Sequence, residues 1–353
     1  MRPALDILTH FLLAWALLGL FRRPAAERIA AGIGGYAPDL DVLWFPWANR
    51  VLPGAFPLVH RGWSHTVWGG PLLALALVYL VTRPTVAAAI ARLSPHRRAV
   101  PPDGSAHAGA FTWGRATALA AILGAWTHVL VLDAITITGT PAFWPLTDAR
   151  LSLELFFFGV GTATIASGTV LVLRWRRRIG DRGVQIGALV VVGLILLSGS
   201  IRLASRPDVP EDGFVRATPV DWRWVVAAPA PGGGVQVWTE SPAGRTLPRY
   251  YAGNATGDAL AAAELCRATG VYRAASWGGT ALETVDATLS GDGAITVEVS
   301  DVLWRYVAAT PAWDPFGGRV PWWEGDEEGA RGVRCVVKDG AVVAAERPHG
   351  FWS

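Results

Sequence analysis

The segment 183–201, GVQIGALVVVGLILLSGSI, runs nineteen residues without a charged side chain. A helix needs roughly 20 apolar residues to cross the hydrocarbon of a bilayer, so 184–203 reads as a transmembrane helix. Five further apolar stretches precede it, at 4–20, 29–47, 63–81, 116–132 and 151–173. The second and third carry Gly and Pro, which predicts broken or tilted helices. Beyond the last stretch the run Arg206-Pro207-Asp208-Val209-Pro210-Glu211-Asp212-Gly213 has linker chemistry, and the remainder of the chain is mixed and often alternating. The expected architecture is an all-α polytopic membrane domain of about six helices over residues 1–205. A linker at 206–214 joins it to a small C-terminal α+β soluble domain over 215–353.

Composition agrees. Of 353 residues, 52% are hydrophobic and only 17% charged, with a mean hydropathy of +0.33. That excludes a disordered chain, a fibrous repeat and an ordinary charged-surface globule. The first apolar stretch is not read as a cleaved signal peptide, because it carries Asp6 and His10 and lacks a small-residue cleavage site before Arg22-Arg23. Net charge is +3, but the arginines are clumped. Loops 21–28, 82–115 and 174–183 alternate with the others and hold 13 of them; the opposite loops hold Arg2, Arg50, Arg61 and Arg150. The positive-inside rule places the richer side in the cytoplasm. The chain is then expected in a bacterial-type plasma (inner) membrane, with its C-terminal domain extracytoplasmic. No nucleic acid partner is expected, since the arginines track the loops and do not form one basic face.

Ionisable groups inside membrane helices are costly and mark function. Asp6 and His10 are four apart, on one helix face. The second stretch ends in Pro38-Asp39-Leu40-Asp41, and Gly32, Gly34, Gly35 and Pro38 predict that the helix opens there and turns both carboxylates inward. His60-Arg61-Gly62-Trp63-Ser64-His65-Thr66 opens the third stretch, and His128 and Asp133 close the fourth. The arginine count puts all of these at the extracytoplasmic ends. His96, His107 and His349 fall elsewhere and read as solvated surface. Imidazole with carboxylate suits a divalent ion, zinc foremost, with donors enough for one or two ions. The expected ligands are His10, Asp39, Asp41, His60, His65, His128 and Asp133. Arg61 and Asp39 are the expected catalytic groups, the guanidinium holding a phosphate or a developing negative charge. Asp6, Ser64, Thr66, Thr136 and Thr140 are expected to support the ligands. Singly, each residue has a plainer reading as an interfacial histidine or a helix-end carboxylate. Jointly, chance would scatter them over both faces of the membrane.

On Asp6-x-x-x-His10, Pro38-Asp39-Leu40-Asp41, the 60–66 block, His128/Asp133, and Thr136 to Gly139-Thr140 followed by Trp144-Pro145, the chain resembles the YdjM-type (YfhP-like) family of membrane-bound metal-dependent hydrolases. The likeness is good over 4–160. That family is distantly similar to zinc-dependent phospholipase C and the P1 nucleases. The resemblance implies hydrolysis of a phosphodiester or other ester in a lipid-like or otherwise phosphorylated substrate, at the outer face. Two departures stand out. The family spaces the His–Asp pair by four residues, whereas here it is five, which on a regular helix turns the carboxylate away; a π-bulge would realign it. Near the start of the fifth stretch, only Glu154 supplies the acid that family members carry. An ion or solute transporter and a non-catalytic scaffold are the competing readings of the same cluster.

In the tail, Lys338-Asp339-Gly340 between two β-rich runs predicts a hairpin, 234–239 and 294–299 predict strands, and 258–269 a helix. Cys266 and Cys335 both fall in the exported region, where a disulfide persists. Two buried free thiols are the equal alternative.

Overall fold

The computed structural model describes residues 6–44, 61–93, 111–136, 139–147, 149–156, 161–218, 223–230, 234–251, 253–255, 257–269, 271–272, 283–301 and 332–346. Two compact units emerge: one from 1–41, 60–153 and 158–198, the other from 42–59, 154–157 and 199–353.

The first unit is helical. Its elements are α1 (Asp6–Leu20), α2 (Ala25–Tyr36), α3 (Gly69–Val81), α4 (Pro84–Leu93), α5 (Arg115–Thr127), α6 (Gly161–Trp175) and the larger part of α7 (Asp181–Ser205). A 3₁₀ turn, Ala37–Leu43, continues α2; another, Trp63–His65, precedes α3; and a π turn, His128–Leu132, extends α5. Three details depart from the sequence reading. The chain is helical at Pro84–Leu93, where a loop is expected. The fifth apolar stretch becomes helical only from Gly161, because 151–156 run irregularly and Leu151 bridges to Thr140. The glycines of α2 do not open the helix, which stays regular to Tyr36 and tightens only at the Ala37-Pro38 step.

Those glycines instead set the packing distance. A Cβ on Gly34 would lie 2.0 Å from the Ala121 carbonyl oxygen of α5, and one on Gly124 of α5 would lie 2.0 Å from the Ala31 oxygen of α2. The two helices therefore pack backbone against backbone, in the small-residue manner of membrane helices. The core at this crossing is Ala30, Ala31, Ala74, Ala120, Ala121 and Ala125, with Leu18 and Val78. Large side chains point the other way: Ile186, Leu189, Val190, Leu196 and Leu197 of α7, and Leu119, Leu123 and Trp126 of α5, are exposed. Small residues inside and large apolar ones outside invert the soluble pattern and suit a lipid solvent. Two of the described helical segments, Arg115–Leu132 and Asp181–Ser205, are long and apolar enough to cross a membrane on their own.

The second unit holds two antiparallel sheets. Strands β1 (Phe214–Ala217), β2 (Trp224–Pro229) and β3 (Val235–Ser241) pair in order; β3 also pairs with the short β4 (Gly244–Arg245) and β5 (Arg249–Tyr251). Strand β2 is buried on both faces from Trp224 to Ala228, so its sequence lacks alternation and is not recognised as a strand. The second sheet is a meander of β6 (Glu283–Leu289), β7 (Ile295–Asp301), β8 (Gly332–Lys338) and β9 (Ala341–Glu346), with α8 (Asp258–Arg267) against it. The predicted hairpin joins β8 to β9, with positive φ at both turn residues, Asp339 and Gly340, as a type I′ turn requires. Cys266 of α8 and Cys335 of β8 form a disulfide, which decides between the two readings of the cysteines.

Gly124→Ala is expected to destabilise the first unit by about 1–3 kcal/mol, the usual cost of overpacking. A thermal unfolding midpoint of the detergent-purified protein no lower than that of the parent would show that the close crossing does not matter.

Candidate metal centre

Four segments of the first unit converge on one buried cluster. Helix α1 brings His10; the turn after α2 brings Asp39 and Asp41; the turn before α3 brings Arg61, Ser64 and His65; the end of α5 brings His128 and Asp133. His65, His128 and Asp133 are fully buried, and His10, Asp39 and Asp41 nearly so.

The five-residue spacing of His128 and Asp133 is resolved by the π turn. The Asp133 N–H donates to the His128 carbonyl at 3.0 Å, an i to i+5 bond, and the extra residue rotates Asp133 back beneath the imidazole. His128 Nε2 then lies 3.2 Å from Asp133 Oδ2. Thr140 steadies the irregular turn, its hydroxyl donating to the Val129 carbonyl at 3.1 Å.

The ring tautomers follow from the outer partners. His128 Nδ1 lies 2.6 Å from the Gly35 carbonyl oxygen, which can only accept, so Nδ1 carries the proton. Ser64 Oγ donates to Asp41 Oδ2 at 2.6 Å and therefore accepts from His65 Nδ1, 3.0 Å away. Asp41 Oδ2 itself is 3.3 Å from that nitrogen. In its neutral form each ring turns a bare Nε2 inward. His65 Nε2 is 3.3 Å from Asp39 Oδ1 and 3.3 Å from Asp133 Oδ2, and His128 Nε2 is 3.7 Å from Asp39 Oδ1. In that form two nitrogen lone pairs and two carboxylate oxygens face one another with no proton to share among them. Only added protons or a cation relieves that repulsion. Ligands about 2.0–2.1 Å from a tetrahedral ion stand about 3.3 Å apart, which matches these separations. The triads His10–His128–Asp133 and Asp39–His65–His128 each bring a donor atom from every member within 4.8 Å of the others. His10 completes the set: its Nδ1 is 3.1 Å from Asp39 Oδ2, its Nε2 3.9 Å from Asp133 Oδ1, and its ring lies 4.0 Å from that of His128.

Arg61 is the cluster's buried cation. Its Nη2 lies 3.1 Å from Asp133 Oδ1, while Nη1 donates to Thr136 Oγ1 at 2.8 Å and to the Gly139 carbonyl at 3.3 Å. The Arg61 backbone N–H donates to Asp41 Oδ2 at 3.1 Å from a left-handed conformation, φ 61°. A non-glycine residue there costs roughly 1–2 kcal/mol, so the surrounding contacts must hold it. Thr136 in turn donates to the Asp133 carbonyl at 2.8 Å.

The sequence expectations fall out unevenly. His10, Asp39, His65, His128 and Asp133 come together around one point. Asp41, expected as a ligand, turns to Ser64, His65 Nδ1 and the Arg61 N–H. Thr66 stands outside the cluster, its hydroxyl accepting from the Gly69 N–H at 2.8 Å at the start of α3. Glu154 belongs to the second unit, where it pairs with Arg216 at 2.6 Å. The Asp6 side chain and His60 lie outside the described residues. The contribution sequence reasoning missed is the Gly35 carbonyl; a backbone oxygen has no residue type to signal it.

A family model described as YdjM inner membrane protein matches residues 5–205. The chain belongs to that family. Every clustered residue falls inside the matched segment, so the site is part of the region shared with the YdjM inner membrane proteins. Searches of curated proteins and of solved structures give no significant match.

Arg61→Ala leaves the buried Asp133 carboxylate without its guanidinium, and is expected to destabilise the first unit by about 3–5 kcal/mol. Chemical unfolding of the purified protein measures this; a loss under about 1 kcal/mol would mean that the Arg61–Asp133 pair holds little.

Proposed function

We propose that the first unit is a bilayer-embedded metal centre, and that the protein hydrolyses a phosphodiester or another ester of a lipid-like substrate at the outer face of the membrane. The observation that carries the proposal is the inward convergence of two Nε2 atoms and two carboxylate oxygens, each ring held with its Nδ1–H outward by a partner behind it. Carbonyl and carboxylate partners behind histidine ligands are the usual support of metal sites. His10, His65, His128, Asp39 and Asp133 would hold one or two divalent ions, zinc foremost by donor type. A divalent ion bound there supplies Lewis-acid polarisation of an ester oxygen and a water acidic enough to attack near neutral pH. The chain's own residues do the rest. Ser64 and Asp41 keep His65 in one tautomer, and the Gly35 carbonyl does the same for His128. Asp39 faces both His10 and His65 and is placed to accept a proton from the attacking water. Arg61, paired with Asp133 at 3.1 Å, sets a fixed positive charge beside the cluster that would favour a bound phosphate or the oxyanion developing on the ester.

The same reading has six crossings, with the arginine-rich loops in the cytoplasm and the second unit outside. The Cys266–Cys335 disulfide supports this, because such bonds persist in oxidising compartments and are rare in the cytosol.

Two measurements test these claims. Purified protein is expected to carry one or two equivalents of a divalent metal, and His65→Ala or His128→Ala to lower that content at least about tenfold. Unchanged metal in both variants would overturn the centre, whereas metal without turnover of any phosphodiester or ester lipid would leave a scaffold. In intact spheroplasts a membrane-impermeant maleimide is expected to label the cysteines only after reduction. Labelling that requires lysis would reverse the topology.

A further inference from the structure

We infer that the end of the first unit formed by the α1–α2 and α6–α7 turns is a binding site for anionic phospholipid headgroups. The inference rests on the bilayer placement proposed above and goes beyond the metal centre. The two turns are one surface: the Arg28 guanidinium at the start of α2 reaches Asp181 at the start of α7 at 2.6 Å, and Arg174 at the end of α6 reaches the same carboxylate at 2.9 Å. Residues 21–28 and 174–182 hold eight arginines against two carboxylates, Glu27 and Asp181. Both carboxylates are already engaged, Glu27 by Arg23 at 2.6 Å. Arg22, Arg176, Arg177, Arg178 and Arg182 remain exposed, with no ion pair among the described residues. That is an unneutralised cationic rim at the foot of apolar helices.

A second observation separates this rim from charge that merely records topology. Helices α1 and α6 end in the same hydrogen-bonded motif: Arg23 N–H to the Leu18 carbonyl and Arg22 N–H to Gly19, then Arg178 N–H to Leu173 and Arg177 N–H to Arg174. Its left-handed position normally belongs to glycine, yet it is filled by Arg22 at φ 52° and Arg177 at φ 54°. Both helices therefore place an arginine at the position where glycine is easiest. Sequences break a local rule chiefly where function asks for it. Phe21 and Trp175, adjoining these residues, are 69% and 56% exposed, as aromatic side chains at a headgroup boundary are. Guanidinium groups suit phosphate oxygens through paired N–H donors, and juxtamembrane clusters of this size attract anionic lipid.

The full chain, purified in detergent and mixed with equal phosphatidylglycerol and phosphatidylcholine, is expected to retain phosphatidylglycerol at least about threefold in excess, in a manner that falls with salt. Replacing Arg22, Arg176, Arg177, Arg178 and Arg182 with Gln is expected to abolish the excess; replacing them with Lys is expected to keep most of it. Unchanged metal content and unfolding midpoint in the Gln variant certify its fold, and keep a failure here distinct from a failure of the metal centre. If the Gln variant does not fold, the salt titration of the parent protein decides. No phosphatidylglycerol preference, a preference indifferent to salt, or one that survives in a folded Gln variant would each overturn the inference.

Discussion

Two imidazole nitrogens and two carboxylate oxygens are held face to face in the interior of the helical unit. Nothing in the cluster can donate between them while the rings are neutral, and both rings are fixed as Nδ1–H donors on their outer sides by Ser64 with Asp41 and by the Gly35 carbonyl. Such an arrangement is unfavourable by itself and stable only around a positive charge. Arg61 supplies one such charge, but on the far oxygen of Asp133, at 3.1 Å. The inner oxygens still face the two Nε2 atoms.

The rest of the helical unit serves that convergence. His10, Asp39, His65 and His128 sit on four different segments, so their separations depend on how closely the helices approach. Gly34 and Gly124 let α2 and α5 touch through their backbones, and Gly35 meets the His10 carbonyl of α1, where a Cβ would be 2.6 Å away. The same α2–α5 contact brings the Gly35 carbonyl within 2.6 Å of His128 Nδ1. Close packing and ring orientation are thus one geometric fact. The large apolar side chains excluded from this alanine- and glycine-rich interior are left on the outside, where lipid accepts them.

Much of this was legible in the residues. The apolar stretches, the mixed tail, the I′ hairpin and the set of histidines and aspartates that meet are all readable from hydropathy, turn chemistry and residue type. The α2 glycines were legible as unusual but not as what they are: a Gly-rich run can open a helix or bring two helices together, and only the neighbour decides. Strand β2 was hidden because burial on both faces removes the period-two signal. Thr66 and Glu154 share residue type with the groups that line the cluster, but Thr66 accepts from the Gly69 N–H at the start of α3 and Glu154 pairs with Arg216 in the second unit.

Sequence alone determined which chemistry the chain carries and that it belongs among apolar helices, because composition and residue type are local properties. It also exposed the five-residue gap between His128 and Asp133 as a problem needing a π turn. Tertiary structure decided which acceptors face inward, which carboxylate orients and which converges, and whether the two cysteines meet across 69 residues. Those outcomes depend on distances between segments far apart in the chain, fixed only when the helices and strands have packed.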